Sequence, residues 1–495
     1  MLELLTIVAC CMQPVSPLAA PPDGPPRITP DRHVLVGATI QVSPTETTEG
    51  DILIEGGRLV AIGEVDHDGA RVWDVEGMHV YAGFIDPWVE VEAPIPDRQA
   101  PGAHWNSLVT PDRRATDGAG LDDKTRATLR GQGFVAAHIA PSEHMFRGRS
   151  AVVSTGAAPD VTEAPSPVYA SDVTQALSFA RRGESVAGST NYPRSYIGSV
   201  ALMRQTFIDA AWQRQWGLEP SSLDAIVTDI PLCFETDSVL QTLWAGRLAR
   251  EFPDYTAIRV GAGDEYQYLD AIVADGQPII VPLRFPAKPD VSSVARADDI
   301  DLAQMMAWEQ APTNPRRLAN AGLTVALTSS KITKREHFQS RLRTAIEHGL
   351  TTEQALAMIT TTPASMLGVE TDLGTVEAGK VASLVVTDGP IFDQGTKIRS
   401  VWVDGRRYEL EKSDPPSIDG TWAATLDGRF ELRLEIDGKT IHVVEADIRQ
   451  KASKVARDGE RLDLVFDHEP FGMRGMFTLS ATIDGDTMSG AGTRP

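Results

Sequence analysis

The 495-residue sequence predicts an α/β protein with a parallel barrel at its centre, a small antiparallel sheet around that barrel and a separate antiparallel β-domain at the end. Three observations predict it. Apolar strand-like runs alternate with stretches of helical period through the middle of the chain. Hairpin-like strands precede that zone and return after it. Beyond a linker carrying Pro415 and Pro416, the remaining residues alternate apolar and polar with period two.

The elements follow in order. Residues 1–20, MLELLTIVACCMQPVSPLAA, are apolar, end in small residues and give way to the Pro-rich PPDGPPRITP, the pattern of an export signal. Ile7, Val8, Ala9 and Cys10 match a lipoprotein cleavage pattern, which allows a lipid anchor at Cys10. Cleavage at Ala20 would leave Cys233 alone, without a disulfide partner. From His33 to about Val80, HVLVGATIQV and DILIEGGRLVAIG predict strands, with Gly56 and Gly57 turning a hairpin. Barrel strands are predicted at 134–141, 225–232, 256–263, 278–285 and 323–330. Helices are predicted at SVALMRQTFIDAAWQRQW, SVLQTLWAGRLAREF and TTEQALAMITTTPASML, the last opening with Thr351 and Gln354 at capping-box spacing. Strand character returns in LGTVEAGKVASLVVTDG and IRSVWVDGRRYEL. In the last segment Phe430, Leu432, Leu434 and Ile436 alternate with Glu431, Arg433, Glu435 and Asp437, predicting an antiparallel sandwich or small barrel.

Charge excludes some functions. With 68 acidic and 46 basic side chains the formal net charge is −22, and no run of Lys and Arg offers the basic face that nucleic acid requires. No later stretch has eighteen consecutive apolar residues, so no membrane span is expected. The expected partner is a small-molecule ligand or substrate, and a homo-oligomer is compatible with the sequence.

The blocks EGGRLVAIG, VWDVEGMHVYAGFID and ITTTPASMLGVETDLGTVEAGKVASLVVTDG resemble the two halves of the β-sandwich of the amidohydrolase superfamily, of the imidazolonepropionase-like kind. HWNSLVTPDRRATD, SAVVSTG, YPRSYIGSVALMRQTFIDAAW and WEQAPTNPRRLANAGLTVALTS are similar to a bacterial branch of it. The resemblance implies a TIM-like (β/α)8 barrel at 83–364, sandwich halves at 33–82 and 365–408, and a C-terminal antiparallel β-domain at 417–495. It also implies hydrolysis of carbon–nitrogen bonds other than peptide bonds, often in cyclic amides, by a zinc-activated water.

The ligand positions depart from that pattern. A His-x-His pair is expected after the GFID strand, because residues i and i+2 point to the same side. Trp88 and Glu90 stand there instead, and an indole cannot ligate a metal. The strands that should end in the next two histidines, IRVGAGDE and IIVPLRF, contain none, and Arg284 follows the second. Ser330 aligns with the family's final aspartate. The ten histidines include no two that stand two to five residues apart. Among them only His138, in a predicted strand, and His144, in the following loop, could join Glu90 or Glu143 in an improvised site for zinc or another divalent metal. The alternative for His138 is a hydrogen-bonded strand residue, and for His144 a solvated loop residue.

Four groups therefore stand as catalytic candidates: Glu90, His138, Glu265 and Ser330. Trp88, Arg284 and Thr328 are the ligand-contact candidates, with Arg284 offering a bidentate donor to a carboxylate. No metal ligand set is assigned. Ser329, Ser330 and Lys331 place hydroxyls near an amine, but adjacent strand residues face opposite sides. Gly261, Gly263, Asp264 and Glu265 lack phosphate-loop spacing, and the acidic pair would repel phosphate. Arg204 and Gln205 lie on a helix, where an ion pair anchoring that helix is favoured over a contact to a lid. Two functions of different classes remain: an exported hydrolase of carbon–nitrogen bonds, and an exported binding protein built on a catalytically degenerate barrel.

Overall fold

The computed structural model describes residues 32–156, 167–179, 192–217, 219–410 and, with short interruptions, 418–493. The expected export segment at 1–20, with Cys10, lies outside the described residues. The chain divides into one compact unit spanning Pro30–Glu411 and another that takes in Lys412–Pro495.

In the first unit, β1 (Arg32–Ser43), β2 (Glu46–Glu55), β3 (Arg58–Gly63), β4 (Arg71–Asp74) and β5 (His79–Ala82) form one side of a mixed sheet. The β2–β3 turn holds Gly56 and Gly57 at φ 55° and 75°, the left-handed pair that a two-residue hairpin needs. The late strands join the same sheet. Those after the barrel, β14 (Leu384–Thr387), β15 (Ile398–Val403) and β16 (Arg406–Glu409), extend it, with β14 antiparallel to β5 and Val385 opposite Tyr81. Residues far apart in sequence thus build one composite layer, whose core packs Leu35, Ile40, Ile52, Ile54, Leu384 and Trp402.

The barrel sheet contains β6 (Phe84–Val91), β7 (Phe134–Pro141), β8 (Phe146–Ser154), β9 (Val168–Ser178), β10 (Leu232–Glu235), β11 (Ala257–Val260), β12 (Ile279–Pro282) and β13 (Val325–Thr328), in that order around it. Seven of the eight strands run parallel, and β8 runs antiparallel to both neighbours. The reversal comes from the short β7–β8 connection. Glu143 and His144 hold φ 60° and 67° there, which turns the chain straight back and leaves no room for a crossover helix. A sequence expectation is corrected nearby: the strand read at 225–232 is instead a 3-10 turn at Ser222–Ala225 followed by β10. Pro231 has no N–H to give a ladder, so the strand begins after it.

The helices are α1 (Asp123–Gly131), α2 (Tyr196–Trp216), α3 (Val239–Glu251), α4 (Leu269–Ala274), α5 (Val294–Asp298), α6 (Leu302–Gln310), α7 (Asn314–Asn320), α8 (Phe338–Glu347), α9 (Thr352–Ala357) and α10 (Thr361–Met366). Side chains cap them where the sequence offers a short acceptor: Asp122 before α1, Ser195 before α2, Ser238 before α3. The Thr351–Gln354 capping box forms at α9. The single helix expected over 351–367 breaks into α9 and α10, because Pro363 cannot donate to Ile359, whose carbonyl accepts instead from Ile85 N at 2.9 Å. Among the described residues no helix is long and apolar enough to cross a membrane.

The second unit is all β. β17 (Gly420–Leu426), β18 (Phe430–Asp437), β19 (Thr440–Glu445) and β20 (Ile448–Lys451) form one antiparallel sheet. A second is formed by β21 (Lys454–Asp458), β22 (Arg461–Asp467), β23 (Met476–Asp484) and β24 (Thr487–Thr493). Leu434 pairs with Val443 and Ile436 with Ile441, and these pack with Leu462, Leu464 and Phe466 in one core, as the period-two pattern of an antiparallel domain requires.

Candidate functional site

The site expected from the sequence lies at the C-terminal ends of β6 and β13, where the barrel sheet meets itself. No ladder joins these two strands among the described residues; side chains close the gap. The Thr328 hydroxyl donates to Asp86 Oδ1 at 2.6 Å, and the Ser329 hydroxyl and N–H both donate to Oδ2. Asp86 is wholly buried, and burial raises its carboxyl pKa, against the lowering effects of the Arg335 charge and these hydrogen bonds. Thr328, expected to touch a ligand, is thus spent on barrel closure.

Two residues on, Trp88 is 0% exposed and corrects a second expectation. Its indole is no ligand surface but a filling of the barrel interior, packed with Ala140, Ala176, Cys233, Ile258, Val260, Ile280 and Ala326. Small side chains from β7, β9, β10 and β13 make the room that one indole occupies. The ring meets the His138 imidazole edge to face at 5.8 Å, and among the described residues Nε1 has no hydrogen-bond partner. Burial in this core pushes the Cys233 thiol up to about 12, so it stays protonated.

His138 is fully buried with both ring nitrogens engaged. Nδ1 lies 2.7 Å from the Pro87 carbonyl and Nε2 lies 2.6 Å from Ser150 Oγ. A carbonyl only accepts, so Nδ1 carries the proton and Nε2 accepts from Ser150, a tautomer assigned from the network. Burial pushes the pKa down to about 4, leaving the ring neutral at pH 7. The bland reading of His138 is the one the geometry matches.

Above this layer sits a cluster of charges. Arg147 on β8 donates from one terminal nitrogen to Glu90 Oε1 at 2.6 Å, from the other to Glu235 Oε2 at 3.1 Å, and from Nε to Ser178 Oγ at 3.2 Å. Lys331 reaches the other oxygen of Glu235 at 2.5 Å and also donates to the carbonyls of Thr236 and Gly261. The Arg147 and Glu235 side chains are 5% and 3% exposed, and Glu90 is 37% exposed. Two carboxylates at the end of the barrel are therefore neutralised by two fixed cations. Ser330, 7% exposed, touches Thr328 rather than the Lys331 amine, which the carbonyls and Glu235 hold.

The remaining candidates are distributed elsewhere. Glu265 is buried and clamps its own loop, accepting from Ala262 N at 2.7 Å, Gly263 N at 3.1 Å and Asn314 Nδ2 at 2.6 Å. It has no face left for acid–base work. Arg284 is exposed beside Gly263, and its charge lowers the Asp264 carboxyl, whose pKa burial raises overall. His144 is buried, not solvated, because its turn folds under Arg113, whose guanidinium lies 3.1 Å from Nδ1. Burial and the Arg113 and Arg147 charges push its pKa down to about 4. Glu143 beside it is exposed. Arg204 pairs with both oxygens of Glu251, at 2.5 and 2.7 Å, an ion pair between α2 and α3.

Sequence reading missed Arg147, Glu235 and Lys331 as a unit. Arg147 sits on the reversed strand, which carries no helix-to-strand alternation, and Glu235 lies beyond the strand as it was drawn.

A model of the Amidohydrolase family matches residues 302–408, from α6 through β16. The crystal structure of an amidohydrolase from Thermotoga maritima MSB8 shares the fold at a TM-score of 0.57 and 20% identity, over 76% of this chain and 100% of that one. Amidohydrolase tasK of Hapsidospora irregularis is 32% identical over 95 residues, which make up 19% of this chain and 10% of tasK. The chain therefore spans about a tenth of the length of that relative. These matches support kinship with the amidohydrolase superfamily. In this chain a composite sheet accompanies the barrel, and the reversed β8 brings Arg147 to the end of the barrel.

Proposed function

We propose that this amidohydrolase-like protein is an exported binding protein whose barrel does not carry out metal-assisted hydrolysis. One observation carries the reading: Arg147 lies between Glu90 and Glu235 while Lys331 holds the second oxygen of Glu235. A divalent cation entering there would have to displace two immobile positive charges, and their repulsion in a poorly solvated site opposes it. The other donors fit a metal no better. Trp88 offers no lone pair, both nitrogens of His138 are engaged, and Ser330 is neutral. Among the described residues no three His, Cys, Asp or Glu side chains come together as a metal-binding group. The residues present do not fit zinc, and no catalytic step is derived through it.

The ligand of this reading is a small molecule at the barrel mouth. Glu90 and Asp237, 37% and 40% exposed, favour one that donates hydrogen bonds. The second reading is a hydrolase of carbon–nitrogen bonds other than peptide bonds, with cyclic amides as substrates. The match of residues 302–408 to the Amidohydrolase family and the exposed edge of Glu90 favour it. Hydrolysis assays on cyclic amides and imides, run with and without added zinc, separate the two. No turnover in either condition is expected; turnover abolished by Glu90→Ala would overturn the binding-protein reading.

A further inference from the structure

A second polar site lies away from the charge cluster, in the long loop between β6 and α1. Residues 96–112 fold around a cavity of about 80 Å³ and close it against Ser222. The loop is fastened there: Ser222 N donates to the Gly102 carbonyl at 2.9 Å, and a Cβ on Gly102, at φ 80°, would meet the Pro220 carbonyl oxygen at 2.6 Å. Asn106 ties in a third segment by donating to the Tyr192 carbonyl at 3.1 Å.

The polar groups bordering this cavity are of mixed kind. Ser107 is 8% exposed, and among the described residues neither its hydroxyl nor that of Ser222 has a hydrogen-bond partner. Both serines line the cavity, so a bond from either hydroxyl to a ligand there would break no existing one. His104 Nδ1 accepts from Asn106 N at 3.1 Å, which leaves the proton on Nε2 as a donor. Arg98 adds a charged donor, and Asp97 and Asp112 supply acceptors that offset its charge. An anion would want donors only and a cation acceptors only. A ligand bearing several hydroxyls, each both donor and acceptor, matches both sets at once.

Beside the cavity stands an aromatic surface. Trp105, between the cavity-lining His104 and Asn106, is 61% exposed, and Tyr192 is 40% exposed. Their ring centroids lie 6.4 Å apart at 24°, and the His104 ring lies 5.4 Å from Trp105 at a tilt of 35°. A flat aromatic face held in water by its neighbours suits a ligand with one apolar face and a polar edge. We propose that this loop is a binding site for a neutral saccharide, with a sugar ring on Trp105 and Tyr192 and the ring's hydroxyl edge in the cavity. Several hydroxyls fit a cavity of this size, since one water needs only about 10–15 Å³. The site does not depend on whether the barrel hydrolyses anything.

The test uses the full chain on an array of neutral oligosaccharides. Hits are followed by calorimetry, with choline and inorganic phosphate as charged probes. The expected result is saturable binding of a neutral glycan, weakened about tenfold by Trp105→Ala, the loss expected for one aromatic contact. Trp105→Phe recovers most of that loss, and Ser107→Ala weakens binding with Trp105 intact. The proposal is overturned if no neutral glycan binds, if Trp105→Ala leaves binding unchanged, or if choline or phosphate binds there instead.

Discussion

Replacing Arg147 by Met tests what the charge cluster contributes to the barrel. The substitution keeps an unbranched apolar stem but no charge, and leaves Glu235, 3% exposed, with Lys331 at 2.5 Å. Removing one partner of a buried pair costs about 3–5 kcal/mol. The Glu90 contact adds little, because its carboxylate is 37% exposed and solvent screening limits such pairs to about 1 kcal/mol or less. Lys331 still compensates part of the Glu235 charge, so the expected loss is about 3 kcal/mol. Urea unfolding followed by near-ultraviolet circular dichroism measures it. Arg147→Met combined with Glu235→Gln removes both charges and regains at least half of the loss. An Arg147→Met protein within about 0.5 kcal/mol of the parent, or a double variant whose losses simply add, would refute the reasoning.

Three further outcomes follow from the same geometry. His138 has a folded pKa of about 4 against 6.5 for the free side chain, so the unfolded chain takes up the proton first. Its stabilisation is full above pH 6.5 and about 3 kcal/mol is lost as pH falls to about 4; parent-minus-His138→Asn urea titrations across that range should show this slope. Trp88→Ala empties the barrel interior and is expected to cost about 3–5 kcal/mol in the same unfolding assay, and a loss below about 1 kcal/mol would mean the indole is not packed as described. Thr328→Val removes a hydroxyl donor to the buried Asp86 carboxylate, costs about 1.5–3 kcal/mol, and should speed amide exchange in β6 and β13 selectively.

Local chemistry was legible in the sequence where it depends on neighbours along the chain. Gly56 and Gly57 predict their turn, Thr351 and Gln354 their cap, and the apolar run at 134–141 its strand, because each is decided within one turn or one pleat. The reversed strand was not legible: its turn residues, Glu143 and His144, adopt positive φ without a glycine or asparagine to announce it. Trp88 shows the same divide. Its inability to ligate follows from its chemistry alone, but its burial follows from alanines on strands far apart in sequence, which only the closed barrel brings together. Glu265 and Arg147 exchanged places for that reason. One is an acidic residue in a promising loop that clamps only its own backbone, and the other, unremarked in sequence, joins two carboxylates from different strands.

The central claim is that the Trp88 indole and the fixed cations beside Glu90 leave no place for the metal that the resemblance to amidohydrolases implies. Metal analysis by mass spectrometry, on full-length protein incubated with excess zinc and then dialysed, tests it most directly. Far less than one equivalent of zinc per chain should be retained, and the amount should not change in Glu90→Ala. One equivalent that survives dialysis and disappears in Glu90→Ala or His138→Ala would contradict the account.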